Sequence, residues 1–228
     1  MRLHRFYIEE PIEGDEVVIT DKNLVHQWKN VFRYQVGTQV ILFDNSGFEF
    51  KAMINLISSR EAVCEIISRR KGLVPDRELW LFLALIKKDR FEMAVEKATE
   101  LGISHIVPVK ALRSTPMKVN KERLEHIVRE ASEQCGRSDA PIIHETVSLA
   151  EAYDMLEVES LPAIMFDPSG EPLETLPVNA YDRGALFIGP EGGWDKTEIE
   201  ESNAKVFSLG NFILRAETAV VAVLAQFL

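Results

Sequence analysis

The segment Ala185–Trp194 constrains the fold most, because an apolar run breaks there into a proline and three glycines just before a helix start. Its first four residues, Ala-Leu-Phe-Ile, are typical of a buried β-strand. Asp195 and Glu198 have the spacing of a capping box, which predicts that a helix begins at this point. The sequence therefore predicts a strand, a stiff glycine-rich turn and a helix in direct succession.

The glycines of this turn permit backbone angles and close approaches that a Cβ atom would prevent, and Pro190 stiffens the turn between them. Such a loop suits a ligand that is recognised by main-chain groups. A plain strand-to-helix connection is the alternative, because short turns in α/β domains often contain glycine.

A second short strand ending in glycine follows at Val206–Gly210, and Asn211–Thr218 then leads into an apolar helix. In open α/β sheets, ligands bind beyond the carboxyl ends of the strands. We therefore expect the two strand ends to lie side by side, with their glycine loops forming one pocket.

The residues of both loops resemble the cofactor-binding half of the SPOUT methyltransferases. Within this superfamily, the chain most resembles the family of ribosomal RNA small subunit methyltransferase E. Where that family commonly has a proline and an arginine after Leu-Gly, this chain has Asn211 and Phe212. The segments that carry the resemblance cover essentially the whole chain: Arg5-Phe6, Leu42–Gly47, Lys97–Gly102, Glu130–Arg137, Ile188–Gly193, Leu209-Gly210 and Ile213–Ala219.

The resemblance implies methylation of N3 of a specific uridine in 16S ribosomal RNA, with S-adenosylmethionine as the methyl donor. It implies an α/β fold class, with a SPOUT-type trefoil-knotted methyltransferase domain over residues 74–228 and a small N-terminal all-β, PUA-like barrel that binds RNA over residues 1–73. It also implies a homodimer. The cofactor-binding residues that we expect from it are Phe166, Ile188, Gly189, Gly192, Gly193, Leu209, Gly210, Ile213, Leu214 and Thr218.

Methylation of a uracil nitrogen requires removal of the N3 proton or stabilisation of the anion that remains, because N3 titrates well above neutrality. We predict that Arg215 stabilises the anion and that Glu217 accepts the proton. The alternative for both residues is a salt bridge or a helix-opening carboxylate at the start of the terminal helix.

A net charge of -10 and a pI near 5.1 argue against a nucleic-acid partner for the chain as a whole. The acidic residues are concentrated in one part. Residues 1–90 contain 14 Lys/Arg and 13 Asp/Glu, whereas residues 91–228 contain 12 and 23, so their net charges are +1 and -11. RNA binding would therefore use a local basic patch, and the first third of the chain could supply it.

Two basic and aromatic clusters in that part, at residues 2–7 and 26–34, are candidates for this patch. Arginine neutralises phosphate, and aromatic faces stack on unpaired bases. We predict RNA contacts by Arg2, Arg5 and Arg33, and the resemblance adds Arg137. The alternatives are that Phe6, Trp28 and Phe32 form the core of a small barrel and that Arg137 complements a helix dipole.

Period-two alternation over the first 70 or so residues predicts an all-β domain, and Gly72–Asp76 marks its end. From Glu78 onward, strands and helices alternate, which predicts a largely parallel sheet. The apolar run Ala219–Leu228 covers nearly the whole circumference of a helix, so we expect burial on all sides, either in the middle of the domain or against a partner subunit. Further predicted strands and helical stripes are Trp80–Ile86, Phe91–Leu101, Ile103–Val109, Leu124–Cys135 and Pro162–Phe166.

The sequence also excludes several classes. Cys64 and Cys135 lack the spacing of a disulfide framework or a zinc site, so we expect no metal. The chain lacks GxGxxG, GxxxxGK[ST], HExxH and GxSxG motifs. The N-terminal residues lack a signal-peptide core, and no apolar run reaches membrane length, so we expect a soluble, cytoplasmic protein. An RNA-binding or ribosome-assembly protein with the same fold and no catalysis remains the alternative function.

Overall fold

The computed structural model describes residues 3–228. The chain forms two compact units. Unit 1 comprises the chain up to Val74 together with Ser132–Ala140, and unit 2 comprises Pro75–Ala131 and Pro141–Leu228. The division that we predict between residues 73 and 74 stays a prediction. Hydrophobic periodicity places residues 132–140 with the second helix of the α/β part, and it does not show that they pack in unit 1.

Unit 1 contains a five-stranded sheet with the order β1-β3-β4-β5-β2. The β1–β3 pair is parallel and the other pairs are antiparallel, and β4 and β5 form a hairpin. The predicted β domain is confirmed, but the helical segment between β2 and β3 was not predicted. Helix α1 (Lys22–His26) and a π-helical turn (Gln27–Val31) lie between β2 and β3. The strands are β1 (Arg5–Tyr7), β2 (Glu16–Ile19), β3 (Gln39–Phe43), β4 (Phe48–Ile57) and β5 (Ala62–Lys71).

The core of unit 1 is built from one face of these strands and from the helical segment between β2 and β3. Phe6 and Trp28 are fully buried, with ring centroids 5.0 Å apart. Phe32 is partly exposed at the edge of this aromatic group. The core interpretation is therefore right for Phe6 and Trp28, because a small barrel depends on large rings for its burial.

Unit 2 contains a seven-stranded sheet with the order β12-β10-β11-β6-β7-β8, in which β9 also pairs with β7. Every pair is parallel, as predicted. The strands are β6 (Glu78–Ala84), β7 (His105–Lys110), β8 (Ile142–Ile143), β9 (Val147–Ser148), β10 (Ala163–Pro172), β11 (Arg183–Ile188) and β12 (Lys205–Ser208). The helices are α2 (Lys88–Glu100), α3 (Lys121–Cys135), α4 (Leu149–Glu159), α5 (Lys196–Glu201) and α6 (Ala216–Leu224), with 3₁₀ turns at Leu173–Thr175 and Val178–Ala180.

The expectation that the two glycine-ended strands are neighbours is wrong in one detail. β11 and β12 both pair with β10, which lies between them. Phe166 of β10 is opposite Ile188 of β11 and opposite Phe207 of β12. Three strand ends, rather than two, therefore meet at one edge of the sheet.

The terminal helix is shorter and less buried than its composition predicts. α6 ends at Leu224, and it packs against α2 and β11. Val220, Val223 and Leu224 are fully buried, but Val221 is 37% exposed and Leu228 is 79% exposed. Complete burial in the middle of the domain is therefore wrong for Val221 and Leu228, and burial of these residues against a partner subunit stays a prediction.

In the described part of the chain, no helix combines the length and the apolar character needed to cross a membrane. Within residues 3–228, no group of three or more His, Cys, Asp or Glu side chains is arranged to hold a metal ion. Cys64 and Cys135 are both free thiols.

Candidate functional site

A cavity in unit 2 lies beyond the carboxyl ends of β11 and β12 and beside the part of β10 where its pairing with β11 ends. Its walls come from residues 166–168, 188–191, 193–194, 208–210 and 212–214, together with Ala216 and Ala219 of α6. Eight of the ten predicted cofactor residues line it: Phe166, Ile188, Gly189, Gly193, Leu209, Gly210, Ile213 and Leu214. The structure therefore brings together residues that are widely separated in the sequence, at the edge where ligands of α/β sheets bind.

Two predicted cofactor residues do not line the cavity. Thr218 is exposed in the first turn of α6. Gly192 lies beneath Arg113, and a Cβ atom on Gly192 would be 3.2 Å from the Cβ atom of Arg113. Gly192 thus permits the close approach of the Arg113 side chain, and its contact with the cofactor stays a prediction.

The other glycines of the cavity are required for two different reasons. Gly193 has φ +70° and Gly210 has φ +112°, and both values lie in the region that side chains with a Cβ rarely adopt. Nothing lies within 4 Å of a Cβ atom added at either position. A Cβ atom on Gly189 would instead be 3.0 Å from the indole nitrogen of Trp194. Glycine is therefore required at positions 193 and 210 by the backbone angle, and at position 189 by close packing against Trp194.

Trp194 and Arg113 fix the loop that follows β11. The buried indole N–H of Trp194 donates to the carbonyl of Phe166 at 3.2 Å, which ties the loop to the end of β10. Arg113 donates to the carbonyls of Gly192 and Trp194 at 3.1 and 3.2 Å and to Asp195 at 2.8 Å. Sequence reasoning missed Arg113, because it is distant in the chain and belongs to no local motif.

The capping box that the spacing predicts is present at the start of α5. The Asp195 carboxylate accepts from the N–H of Thr197 at 3.1 Å, and Glu198 accepts from the N–H of Asp195 at 2.8 Å. Glu198 is buried and also accepts from the N–H of Leu112 at 2.7 Å. These bonds determine where the loop ends and the helix begins.

The two predicted catalytic residues lie at the start of α6, and neither lines the cavity. Arg215 is the N-cap residue, and its exposed side chain has no ion-pair or hydrogen-bond partner within the described chain. Glu217 is buried in the first turn, where its Oε1 atom is 3.7 Å from Nε of Arg90. Its Oε2 atom is buried and accepts no hydrogen bond from any described residue.

Arg90 is a further residue that sequence reasoning missed. It belongs to the first turn of α2, and its Nη1 atom is 3.4 Å from Oε1 of Glu191, which lines the cavity. A single guanidinium therefore faces both Glu191 and Glu217. Several lysines and arginines occur at the start of this helix, and no sequence signal shows that Arg90 is the one that contacts Glu191 and Glu217.

Comparisons with known proteins agree with this architecture. The profile of an RNA methyltransferase domain matches residues 74–228, and the profile of an RNA methyltransferase PUA domain matches residues 29–67. This chain belongs to the RNA methyltransferase family.

Two curated members of this family are similar over nearly the whole chain. Ribosomal RNA small subunit methyltransferase E of Rickettsia conorii is 31% identical, and the alignment covers 99% of this chain and 95% of that protein. The Bacillus subtilis protein of the same name is 28% identical, with coverages of 95% and 93%. Such long, even coverage places the chain within the ribosomal RNA small subunit methyltransferase E family.

Two solved structures of RNA methyltransferase relatives superpose closely. A methyltransferase of Legionella pneumophila with bound S-adenosylmethionine is 27% identical, with a TM-score of 0.88 and coverages of 100% and 97%. Ribosomal RNA small subunit methyltransferase E of Neisseria gonorrhoeae, bound to S-adenosylmethionine, has the same identity and TM-score, with coverages of 99% and 96%. The predicted fold class is confirmed: a SPOUT-type α/β methyltransferase domain with a small, N-terminal, PUA-like all-β domain.

The arginines that we predict to contact RNA differ in their surroundings. Arg5 is partly buried and forms an ion pair with Glu49. Arg137 is also buried, and its Nε and Nη2 atoms donate to Asp139 at 2.9 and 2.7 Å. Arg33 is exposed, with φ 55°, in the segment that matches the PUA domain of RNA methyltransferases. Arg2 lies outside the described residues.

Proposed function

We propose that this chain transfers a methyl group from S-adenosylmethionine to N3 of a specific uridine in 16S ribosomal RNA. The observation that carries the proposal is the convergence of eight predicted cofactor residues on one cavity at the ends of three parallel strands. The relatives named ribosomal RNA small subunit methyltransferase E support the substrate, and their S-adenosylmethionine complexes support the donor.

The chemistry of the cavity fits this donor. Phe166, Leu209 and Leu214 give apolar surface for a flat purine, and the glycine loops offer main-chain groups for its polar edge. The carboxylates of Asp167 and Glu191 also line the cavity, and they suit the positive charges of a sulfonium and an ammonium group. When bound, the donor supplies a methyl group that its sulfonium has already activated.

The chain's own contribution is mainly to hold the uracil in position. Orienting two reactants at near-attack distance is worth about 7–11 kcal/mol of the barrier. Loops fixed by Trp194 and Arg113 are suited to this task, because their side chains tie the cavity wall to neighbouring strands and loops. Rigid supports reduce the cost of ordering the site when the substrate binds.

We propose that Arg215 stabilises the negative charge that develops on the uracil ring. Its guanidinium is exposed and has no ion-pair partner among residues 3–228, so it is available to the substrate. It also caps the N-terminus of α6, where the helix dipole favours negative charge. Both effects act on the anion that forms as N3 loses its proton.

Glu217 remains the proposed acceptor of the N3 proton, with a structural role as the alternative. The absence of any hydrogen bond to its buried Oε2 atom within the described chain supports a proton-accepting role. Its contact with Arg90 supports a role in anchoring α6. Variants at Arg90 and Glu217 separate these roles.

We further propose that unit 1 binds the ribosomal RNA, with Arg33 and Arg2 contributing to the contact, and that the protein acts as a homodimer in the cytoplasm. The match of residues 29–67 to an RNA methyltransferase PUA domain supports the first part. The exposed apolar residues of α6 and its C-terminal extension support the second.

An RNA-binding protein without catalysis is the alternative that one observation favours. Phe212 replaces the arginine that is common in the family, and it lines the cavity while 85% of its side-chain surface is exposed. Loss of that arginine removes a cation from the site. The two functions differ in a single measurable property, which is methyl transfer.

The proposal is tested with small ribosomal subunits from a bacterial strain that lacks this methylation. The protein is incubated with these subunits and with S-adenosylmethionine carrying a tritiated methyl group, and the RNA is then digested to nucleosides. We expect label in 3-methyluridine only, and no label in subunits from the parent strain, which are already modified. Label in another nucleoside, or cofactor binding without transfer, contradicts the proposed reaction.

A further inference from the structure

One face of the unit 1 sheet points away from its hydrophobic core and carries cationic residues on three of its strands, Arg5 on β1, Lys51 on β4 and Arg70 on β5. The register pairs Arg5 with Ile41, Ile41 with Lys51, and Lys51 with Ser68, so these residues follow one another across β1, β3, β4 and β5. Arg70 stands opposite Glu49 in the same β4–β5 pair.

The segment 132–140 covers part of this face. Arg5 donates to the carbonyl of Arg137 at 3.2 Å and to the hydroxyl of Ser138 at 3.1 Å. Glu133 accepts from the N–H of Tyr7 at 3.0 Å. The part of the face that remains uncovered forms a cavity of about 690 Å³, which is large enough to admit a nucleotide.

The charged residues that line this cavity are mainly cations. Arg5, Lys51, Arg70 and Lys71 line it, and Glu49 is the single carboxylate that the described residues contribute to the lining. The cavity therefore has a net positive charge in a chain whose total charge is -10. Such a local reversal of sign concentrates anions at the cavity against the field of the whole protein.

Glu49 neutralises only part of this charge. It is buried, accepts from Arg70 at 2.7 Å and from Ser138 at 3.1 Å, and forms an ion pair with Arg5. Burial raises the pKa of Glu49, but the hydrogen bonds from Arg5 and Arg70 outweigh burial and hold its pKa below the ordinary value. The carboxylate is therefore ionised at neutral pH, and it fixes the two guanidinium groups beside the cavity.

The two lysines of the lining are not neutralised in this way. Neither Lys51 nor Lys71 has an ion-pair partner in the described part of the chain. Lys71 is exposed, and Arg70, although it is paired with Glu49, keeps 74% of its side-chain surface accessible. Three cationic groups are thus available to a ligand at the open end of the β4–β5 hairpin.

We propose that this cavity binds phosphate groups of the RNA backbone through Lys51, Arg70 and Lys71. This inference rests on the proposed function, because it takes the RNA substrate as the source of the phosphates. No aromatic side chain among residues 3–228 lines the cavity, so the contact is with the backbone and not with stacked bases. Arg5 acts here as a positioning residue, since its guanidinium is held by Glu49 and Ser138.

The test compares two double variants that remove the same charge from unit 1. Lys51→Gln with Lys71→Gln alters the cavity. Lys22→Gln with Arg60→Gln is the matched control, because both side chains are exposed and Arg60 lies in the turn at the opposite end of the β4–β5 hairpin. Affinity for a 16S ribosomal RNA transcript is measured by filter binding over a series of potassium chloride concentrations.

We expect the cavity variant to bind RNA about tenfold more weakly and to lower the slope of log K against log salt by roughly 1.5, as loss of two phosphate contacts requires. The control should change the slope far less. Equal losses in the two double variants, or an unchanged slope in the cavity variant, overturn the proposal. The single variant Lys71→Gln should give about half of the slope change, which checks that the effect is not misfolding.

Failure of this inference can be distinguished from failure of the proposed function. The cavity variant should keep the affinity of the wild-type protein for S-adenosylmethionine in calorimetry. If RNA binding depends on both lysines but the wild-type protein transfers no methyl group, the proposed reaction is contradicted and the phosphate site is supported. If the wild-type protein methylates RNA but the cavity variant binds RNA with unchanged affinity, the reaction is supported and the phosphate site is contradicted.

Discussion

Nε of Arg90 lies 3.7 Å from Oε1 of Glu217, and the same guanidinium reaches Glu191 at 3.4 Å. Arg90 thereby connects the first turn of α2 with two segments around the candidate cofactor cavity, the loop after β11 and the start of α6. Glu217 is buried and its other oxygen accepts no hydrogen bond in the described chain, so Arg90 provides its main compensating charge.

Replacing Arg90 with alanine should destabilise the protein by about 1–3 kcal/mol, because a buried carboxylate loses its partner. It should also weaken cofactor binding, since Glu191 and α6 lose a shared support. Urea denaturation and calorimetric titration with S-adenosylmethionine measure the two effects.

The variant Glu217→Gln removes the negative charge of the side chain but keeps its shape, so it separates the effects of charge and of packing on stability. In the double variant Arg90→Ala with Glu217→Gln, the destabilisation should be smaller than the sum of the single effects, by about 0.5–3 kcal/mol. Strict additivity would show that the two side chains do not interact. If Glu217→Gln keeps stability but abolishes methyl transfer, Glu217 is the proton acceptor rather than an anchor.

Replacing Arg215 with alanine should leave the affinity for S-adenosylmethionine within about tenfold of wild type while removing most of the methylation rate. Stabilisation of a developing anion acts in the transition state more than in the ground state. Calorimetry and single-turnover methylation on one protein preparation measure the two quantities. Equal losses of binding and rate would make Arg215 a cofactor ligand.

Stability should depend on pH through the pair His105 and His144, whose ring nitrogens lie 3.0 Å apart beneath Trp80. Burial, and then the nearby His144, lower the pKa of His105 to about 4, although Glu78 at 4.0 Å acts in the opposite direction. The folded protein therefore keeps His105 neutral, whereas the unfolded chain takes up a proton below about pH 6.5. This contribution to stability is complete above pH 6.5 and is lost as the pH falls towards 4.

At pH 5 the loss should be about 1–2 kcal/mol relative to pH 7, after allowance for solvent screening. Urea midpoints at the two pH values measure it. His105→Asn should flatten the dependence, and His126→Gln, at an exposed histidine, should not. A wild-type slope that survives in His105→Asn would assign the effect to other groups.

Oligomeric state tests the proposed use of the exposed apolar residues on and after α6. Light scattering at micromolar concentration should give the mass of a dimer, because contiguous exposed apolar surface marks an association site. Val221→Glu should shift the protein to a monomer with its fold retained, since Val221 is already partly exposed and the helix core is unchanged. A folded wild-type monomer contradicts the homodimer.

Local patterns predicted many strands and helices of this fold, although not α1 or α4, but they could not show which distant residues meet. The capping box at Asp195 depends on neighbouring residues, so it could be read directly from the sequence. The pairing of β10 between β11 and β12 depends on the whole sheet. Arg113 and Arg90 contact residues that are far away in the sequence. These contacts could not be predicted, because no local sequence pattern indicates which distant residue a cation on a helix or loop will contact.

The surroundings of the arginines that we predict to bind RNA were the hardest to foresee, for a physical reason. Arg5 lies in a basic and aromatic cluster typical of a surface, yet its side chain is only 9% exposed and is paired with Glu49. The polar and basic residues Ser68–Lys71 are typical of a strand end that faces solvent, yet three of these four residues line the cavity of unit 1. Burial of a charge depends on a partner across the sheet, and composition does not contain that information.

Calorimetric titration of S-adenosylmethionine into wild type, Gly193→Val and Gly193→Asn tests the location of the cofactor cavity most directly. Gly193 has φ +70° and lines the cavity, and no atom would clash with an added Cβ, so the two replacements differ chiefly in their tolerance of that angle. Asparagine accepts the left-handed region and valine resists it, at a strain of about 1–3 kcal/mol. We expect Gly193→Asn to bind within about tenfold of wild type and Gly193→Val to lose roughly a hundredfold in affinity while remaining folded. Wild-type affinity in Gly193→Val would show that the cofactor does not bind among these loops.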